Sequence, residues 1–337
     1  MYLSEKSGNN ITIMKLDQKL VLFVCPQFIQ KYVQPWVSHI YVCPQMKSIN
    51  SKVRLEASQA IVKRAEKREV KLICFLYNSM MVPELLSVCP PKIKIVTWHQ
   101  KNYYGPQYLT NPTLARVLEY SLIASSGLRT FNHDQKHKYV CVPFPCYVNP
   151  EEAVTNNPII LSMIKEWSPY VFTGGENQRD YRTLVTAMRL IPDQKCIIVT
   201  RTKYKSVMAL NPPSNCRVIN GLPRNEFLYL LRHSKAVVLP FKGKNSITGH
   251  NLLAEACYFS RPVIGTRRSS FEESISEGWN GYLIEPGNPQ MLATTIQKTL
   301  INPPPELIRG ARRSSKNRTI RHFIKRLFRI CWNVLRE

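Results

Sequence analysis

The stretch AVVLPFKGKNSITGHNLLAEACYFSRPVIGT, residues 236–266, sets anion-handling groups at the end of an apolar run. Ala236–Leu239 stop at Pro240, and a polar loop runs from Lys242 to Thr248. Gly249 then opens a helix whose inner face carries Leu252, Leu253 and Ala256. A glycine at a helix start, having no Cβ, lets an anion approach the free backbone N–H groups, here those of His250 and Asn251. Lys242 and Lys244 add positive charge, and Asn245, Ser246 and Thr248 add polar contacts. The chemistry these residues serve is phosphate binding. Glu255 lies about two turns into the helix, placed to accept hydrogen bonds from a ribose diol. Strand–loop–helix units with a glycine also occur without a ligand, so this stretch alone does not select phosphate.

A second element, VFTGGENQRDYRTLVTAM, spans residues 171–188. An apolar run ends in Gly174 and Gly175, a short loop carries Arg179, and a helix begins near Asp180. Two adjacent glycines permit close backbone approach, and an arginine beside them can clamp a diphosphate bidentately. The bland alternative is a tight turn with a solvated arginine.

Both elements need strand ends to hold them. Short apolar runs alternate with helix-period stretches along the whole chain, a rhythm that predicts βα units and parallel sheets. Strands are expected at Lys19–Cys25, His39–Cys43, Lys71–Phe75, Ile93–Thr97, Tyr120–Ala124 and Tyr139–Val142, with a helix over Lys52–Glu69. Pro143–Pro158 is proline- and asparagine-rich and reads as a linker between domains. The rhythm then restarts, with strands at Tyr170–Thr173, Cys196–Thr200, Arg217–Asn220, Ala236–Pro240, Pro262–Gly265 and Gly281–Ile284. Helices are expected at Asp180–Leu190, Arg224–Ser234, Gly249–Tyr258 and Pro289–Leu300. The expected organisation is a domain over 1–150, a second over 151–305, and a basic amphipathic tail over 306–337 with a helix at Asn317–Leu335.

The 337 residues suffice for two such cores. The formal net charge is +25, and the tail is its densest part, with 10 basic and 2 acidic residues over 306–337. A basic surface attracts nucleic acid, anionic membrane or diphosphate-bearing substrates, and charge alone does not choose. No zinc-finger spacing, RNA-binding motif or basic zipper is present, which disfavours nucleic acid. The ten cysteines form no CxxC pair and no metal-ligand cluster, so reduced thiols, a cytoplasmic setting and no bound metal are expected. The amino-terminal stretch has no signal-peptide pattern, and no window holds the ~18 uncharged apolar residues of a membrane span. Peripheral attachment stays open. Ile320, Phe323, Ile324, Leu327, Phe328, Cys331, Trp332 and Leu335 form one apolar face with basic residues around it. Such a helix either lies in an anionic membrane interface or packs against the protein's own core.

Residues 171–300 resemble the carboxy-terminal domain of the retaining GT-B glycosyltransferases of the group-1, family-4-like type. The matching blocks come in the family's order: strand–GG–RDY–TL, Gly221 with the Arg-Asn-Glu-Phe helix start, LLAEACYFSRPVIGT, and EGWNGYLIEPGNPQML. In the first half, KIKIVTWHQ, YSLIASSGLRT and CVPFPCYVN resemble the family's strand-to-His, strand–Ser and linker passages.

The resemblance implies a GT-B fold, two Rossmann-like α/β domains facing a cleft. It implies transfer of a sugar from a nucleoside diphosphate donor to a hydroxyl acceptor, which is a glycan, lipid-linked or protein-linked, with retention and without metal or other cofactor. By position it implies that Arg179 contacts the donor diphosphate and that Gly249, with the amides of His250 and Asn251, faces the phosphates. Glu255 matches the second Glu of the family's Glu-x7-Glu motif, on the ribose, and His99 a histidine near the transferred sugar. Gly174, Gly175, Gly221, Lys244, Ser246 and Thr248 complete the expected donor site. Two departures stand out. Ile247 occupies the place of the first Glu, and the first strand runs into Cys25-Pro26-Gln27-Phe28 where the family has a Gly-Gly loop. The first departure leaves room for a second class, a GT-B-fold protein that binds the donor without turnover.

Overall fold

The computed structural model describes residues 2–7, 10–15, 21–25, 30, 34, 39–42, 51–76, 81–99, 118–123, 139–142, 145–146, 148, 150–243, 248–272, 274–316 and 318–336. The chain divides into two compact units, residues 1–143 with 320–337, and residues 144–319.

The first unit opens with an antiparallel pair, β1 (Tyr2–Ser7) and β2 (Asn10–Lys15). Its main sheet comprises β3 (Val21–Cys25), β4 (His39–Val42), β5 (Leu72–Phe75), β6 (Lys94–His99), β7 (Leu118–Ile123) and β8 (Tyr139–Cys141). The strand order is β4-β3-β5-β6-β7-β8, with every pairing parallel. Helix α1 (Ser51–Lys67) and helix α2 (Val82–Val88) lie between strands, joined by the Arg54–Glu84 ion pair at 2.7 Å. Strands β3 and β5 are buried throughout, as parallel strands covered on both faces must be.

In the second unit, α3 (Pro158–Trp167) precedes β9 (Tyr170–Gly174) and α4 (Tyr181–Leu190). There follow β10 (Lys195–Thr200), α5 (Tyr204–Met208), β11 (Cys216–Asn220), α6 (Arg224–His233) and β12 (Ala236–Leu239). Then come α7 (His250–Tyr258), β13 (Val263–Thr266), α8 (Ser269–Glu272), β14 (Gly281–Ile284), α9 (Pro289–Ile301) and α10 (Pro305–Lys316). The sheet is parallel, in the order β11-β10-β9-β12-β13-β14. That is the doubly wound order, and it reverses between β9 and β12, where ligands bind outside the strands' carboxyl ends. Alternate residues of β9 serve the two faces. Val171 joins Leu184, Met188 and Leu292 on one, while Tyr170 and Phe172 join Leu230, Leu253 and Phe271 on the other.

Two local readings change. Pro158 does not close a linker; it occupies the first turn of α3, capped by the Asn157 side chain accepting from Ile159 N at 3.0 Å. Pro at that position costs a helix nothing, because the first N–H groups have no intrahelical partner. The tail is not one piece either. Helix α10 belongs to the second unit, and helix α11 (Ile320–Arg336) to the first.

The apolar face of α11 packs on the protein's own sheet. Phe323, Ile324, Leu327, Phe328, Cys331 and Val334 are buried, and Phe328 stacks on Phe23 of β3 with ring centroids 5.3 Å apart. Lys94 Nζ donates to the Val334 carbonyl at 3.2 Å. Of the two settings that the sequence leaves open for this face, it takes the protein's own core. The exposed face keeps Arg321, Lys325, Arg326, Arg329 and Arg336. Among the described residues, no helix is long and apolar enough to cross a membrane.

Candidate functional site

At the reversal point, β9 ends on Gly174 and the chain turns at Gly175, whose φ of +113° is a left-handed conformation open to glycine. A Cβ on Gly174 would meet the Phe227 ring at 2.6 Å, so no larger residue fits there. Beyond this turn Arg179 folds back. Its Nε donates to the Gly174 carbonyl at 3.0 Å, and its guanidinium lies 4.2 Å from the centroid of Phe241, the residue reached two positions after β12. Backbone pairing locks the two strand ends together, with Asp180 N donating to Pro240 O at 2.9 Å. Asp180 then caps α4, accepting from Thr183 N at 3.1 Å and from its hydroxyl at 2.7 Å. Arg179 is nearly buried, and burial lowers its pKa to about 10 while leaving it charged at neutral pH.

Gly249 faces the same ring. Its φ is +97°, and it sits at the N-cap of α7 with no side chain capping the helix. A Cβ there would lie 2.5 Å from Phe241 Cζ and 3.3 Å from Arg179 Nη1. The amino end of α7 and a buried guanidinium thus meet at one aromatic ring, and that guanidinium also reaches back to the double-glycine turn. A helix amino end carries partial positive charge and open N–H groups, so the arrangement suits an anion.

His250, next along, is 4% exposed. Burial, then Arg318 and Arg268, push its pKa down to about 3, so the ring is neutral near pH 7. Thr248 precedes the cap in a turn and Asn251 is exposed on the first turn of α7. Lys244 and Ser246 lie outside the described residues, as do Asn245 and Ile247. His99 ends β6 in the first unit; its backbone is described and its side chain is not.

Glu255 is paired with a residue not singled out from the sequence. Arg224 Nη2 donates to Glu255 Oε1 at 2.5 Å, from the first turn of α6. Gly221 follows β11 with φ +69°, and a Cβ on it would press on Arg201 Nε at 2.8 Å. Glu255 is 7% exposed, and burial raises its pKa against the lowering effect of Arg224.

Two further residues escape a motif search. Glu176, in the loop after Gly175, accepts from Arg201 N at 2.7 Å, Thr202 N at 3.0 Å and Thr200 Oγ1 at 2.9 Å, and also from the Thr202 hydroxyl. Partial burial works against its charge, but these donors outweigh it and hold the carboxyl below its ordinary value. It ties the β9 loop to the end of β10. Arg268, two residues after β13, lies fully buried with its guanidinium 4.4 Å from the Phe241 centroid and 5.1 Å from that of Phe271. The carboxylate-to-backbone pattern of Glu176 has no local signature, and Arg268 reads in sequence as one of two adjacent loop arginines.

Comparison with known proteins bears on this site. Residues 175–318 match the family model of glycosyl transferases group 1, and no curated protein gave a match by sequence. Among solved structures, a glycosyltransferase from Rickettsia africae is similar with a TM-score of 0.66 at 13% identity, covering 94% of this chain and 98% of that one. Anabaena HepE, in complex with UDP, has a TM-score of 0.67 at 13% identity, over 94% and 99% of the two chains. The lipopolysaccharide outer core galactosyltransferase WaaB has a TM-score of 0.64 at 12% identity, over 92% and 98%. At these identities the shared property is the fold, two Rossmann-like units of the GT-B type.

Proposed function

Because residues 175–318 match the group-1 glycosyl transferase model and the fold is of the GT-B type, we propose that this protein transfers a sugar from a nucleoside diphosphate donor to a hydroxyl acceptor. The observation that carries the reading is Arg179, charged and nearly buried, beside the uncapped amino end of α7 at the sheet's reversal point. In the reaction, the bond from the anomeric carbon to the β-phosphate oxygen breaks, and its electron pair leaves with the diphosphate. A bond from the acceptor oxygen to that carbon forms, and the acceptor releases its proton. Charge develops on the leaving diphosphate, so preorganised donors there lower the barrier most. The α7 amides and Arg179 are such donors, and the proposal calls on no metal. Uracil is the first base to test, because HepE was crystallised with UDP and with UDP-glucose. Retention and a role for His99 in transfer enter the proposal on the resemblance.

Glu255 is assigned to the ribose, with Arg224 orienting its carboxylate. The test is a screen of UDP-, GDP- and ADP-sugars for donor hydrolysis and for thermal stabilisation, repeated on Arg179→Ala and Glu255→Gln. Binding and hydrolysis should fall in both variants. Activity in both equal to that of the unaltered protein overturns the assignment.

One feature favours a second reading, a donor-binding protein without turnover. Ile247 can neither hydrogen-bond a sugar hydroxyl nor stabilise positive charge at the anomeric carbon. Calorimetric donor binding with no hydrolysis or transfer would select it. A cytoplasmic setting belongs to the proposal. So does contact with an anionic membrane, through exposed basic residues rather than the buried face of α11. Nucleic acid is given no role.

A further inference from the structure

We propose that Arg268 is a second cation of the diphosphate site, which makes the site selective for a nucleoside diphosphate over the corresponding monophosphate. The inference rests on the donor-binding reading above and deepens it.

Arg268 is 1% exposed, yet Nε, Nη1 and Nη2 all lack a hydrogen-bond partner. Buried guanidinium groups are ordinarily satisfied, since removing their donors from water without replacement is costly. Three orphaned nitrogens on one buried side chain therefore mark a group that is complete only with something bound. The aromatic faces of Phe241 and Phe271 offset part of the cost but supply no acceptor.

Arg179 and Arg268 both lie over the Phe241 ring, at 4.2 Å and 4.4 Å from its centroid. Among the described residues, neither is joined to a carboxylate by an ion pair. Burial first, and then the Arg179 charge, lower the pKa of Arg268 to about 10. The Gly249 end of α7 closes on the same ring, and no capping carboxylate stands there. Two guanidiniums and a helix amino end exceed what one phosphate needs and match the two to three negative charges of a terminal diphosphate. Arginine's planar fork suits that ligand by bidentate pairing.

The test uses the full chain, with UDP and UMP as probes, titrated by calorimetry at fixed ionic strength. Arg268→Met keeps the side chain's bulk and loses its charge. Loss of a charge-assisted hydrogen bond should weaken UDP binding on the order of 10- to 100-fold, while UMP binding changes less than about threefold, within the spread of neutral changes. The unliganded variant should melt no lower than the unaltered protein, since a repelling pair is relieved. A merely structural arginine would instead lower the melting temperature and weaken both nucleotides together. If Arg268→Met does not fold, Arg268→Lys keeps the charge without the fork and should show a smaller loss confined to UDP. Unchanged UDP affinity, or equal losses for UDP and UMP, overturns the role of Arg268. If Arg179→Ala loses UDP while Arg268→Met retains it, only this inference fails. If the unaltered protein binds none of UDP, GDP and ADP, the donor-binding reading fails with it.

Discussion

Substituting Gly249 by alanine tests whether the ring of Phe241 is the fixed centre of the site. Gly249 holds φ +97°, and a Cβ there would sit 2.5 Å from Phe241 Cζ and 3.0 Å from Cε2. The left-handed backbone alone costs an alanine about 1–2 kcal/mol. The ring cannot swing away cheaply. Phe241 is 1% exposed, with Arg179 and Arg268 over it and Phe271 at 5.5 Å between centroids. Overpacking of that kind adds about 1–3 kcal/mol, for a total of roughly 2–5 kcal/mol. For a unit of this size each kcal/mol lowers Tm by about 2–4 °C, so the melting temperature should fall by roughly 4–20 °C. Gly287 supplies the control, because its φ is +69° and nothing lies within 4 Å of its Cβ position. Gly287→Ala should show the backbone cost alone. Calorimetry on both variants, with and without UDP, separates strain from crowding. A Gly249→Ala protein that melts with Gly287→Ala and binds UDP like the unaltered chain would refute the reasoning.

Three other outcomes are expected. The buried Asn215 amide donates to the carbonyls of Met188, Ile191 and Gln194 at 3.0, 2.9 and 2.8 Å, so Asn215→Ala should destabilise the protein by about 2–4 kcal/mol in urea unfolding. Phe328→Ala should cost about 3–5 kcal/mol, because the ring is buried against Phe23; liposome flotation should stay unchanged in it, since that face meets protein. His250 has its pKa depressed from 6.5 to about 3, so its contribution to stability is full above pH 6.5 and is lost as pH falls toward 3. His250→Gln should remove an acid limb worth up to about 5 kcal/mol, read as the difference between the two pH–Tm curves. The difference is needed because Glu255, whose pKa is raised, acts in the opposite sense: its contribution is full below about pH 4.5 and falls as pH rises.

The strands of both sheets were legible because a parallel strand buried on both faces is a short apolar run, and that is a local property. Val21–Cys25 and Ala236–Leu239 needed no partner to be recognised. The glycines were legible for a similar reason. Gly174–Gly175 and Gly249 follow strands and precede helices, and a backbone that must turn sharply there has few other residues to use. The helix at Pro158–Trp167 was obscured because proline and asparagine, which also build linkers, here cap and start a helix.

By itself the sequence determined the order of βα units, the glycine turns, the amphipathic character of the last helix and the presence of Arg179 beside a strand end. Only the tertiary structure decided what those groups meet. The apolar face of α11 has one periodicity whether it lies on lipid or on a sheet, and the stacking of Phe328 on Phe23 is what selects the sheet. Glu255 has Arg224 as its partner across 31 residues. Arg267 and Arg268 are adjacent in sequence, yet Arg267 pairs with Glu285 at 2.9 Å while Arg268 turns inward over Phe241. Periodicity records which side of an element is apolar. Which charge is buried, and against what, depends on contacts between segments far apart in the chain, and no local pattern carries that information.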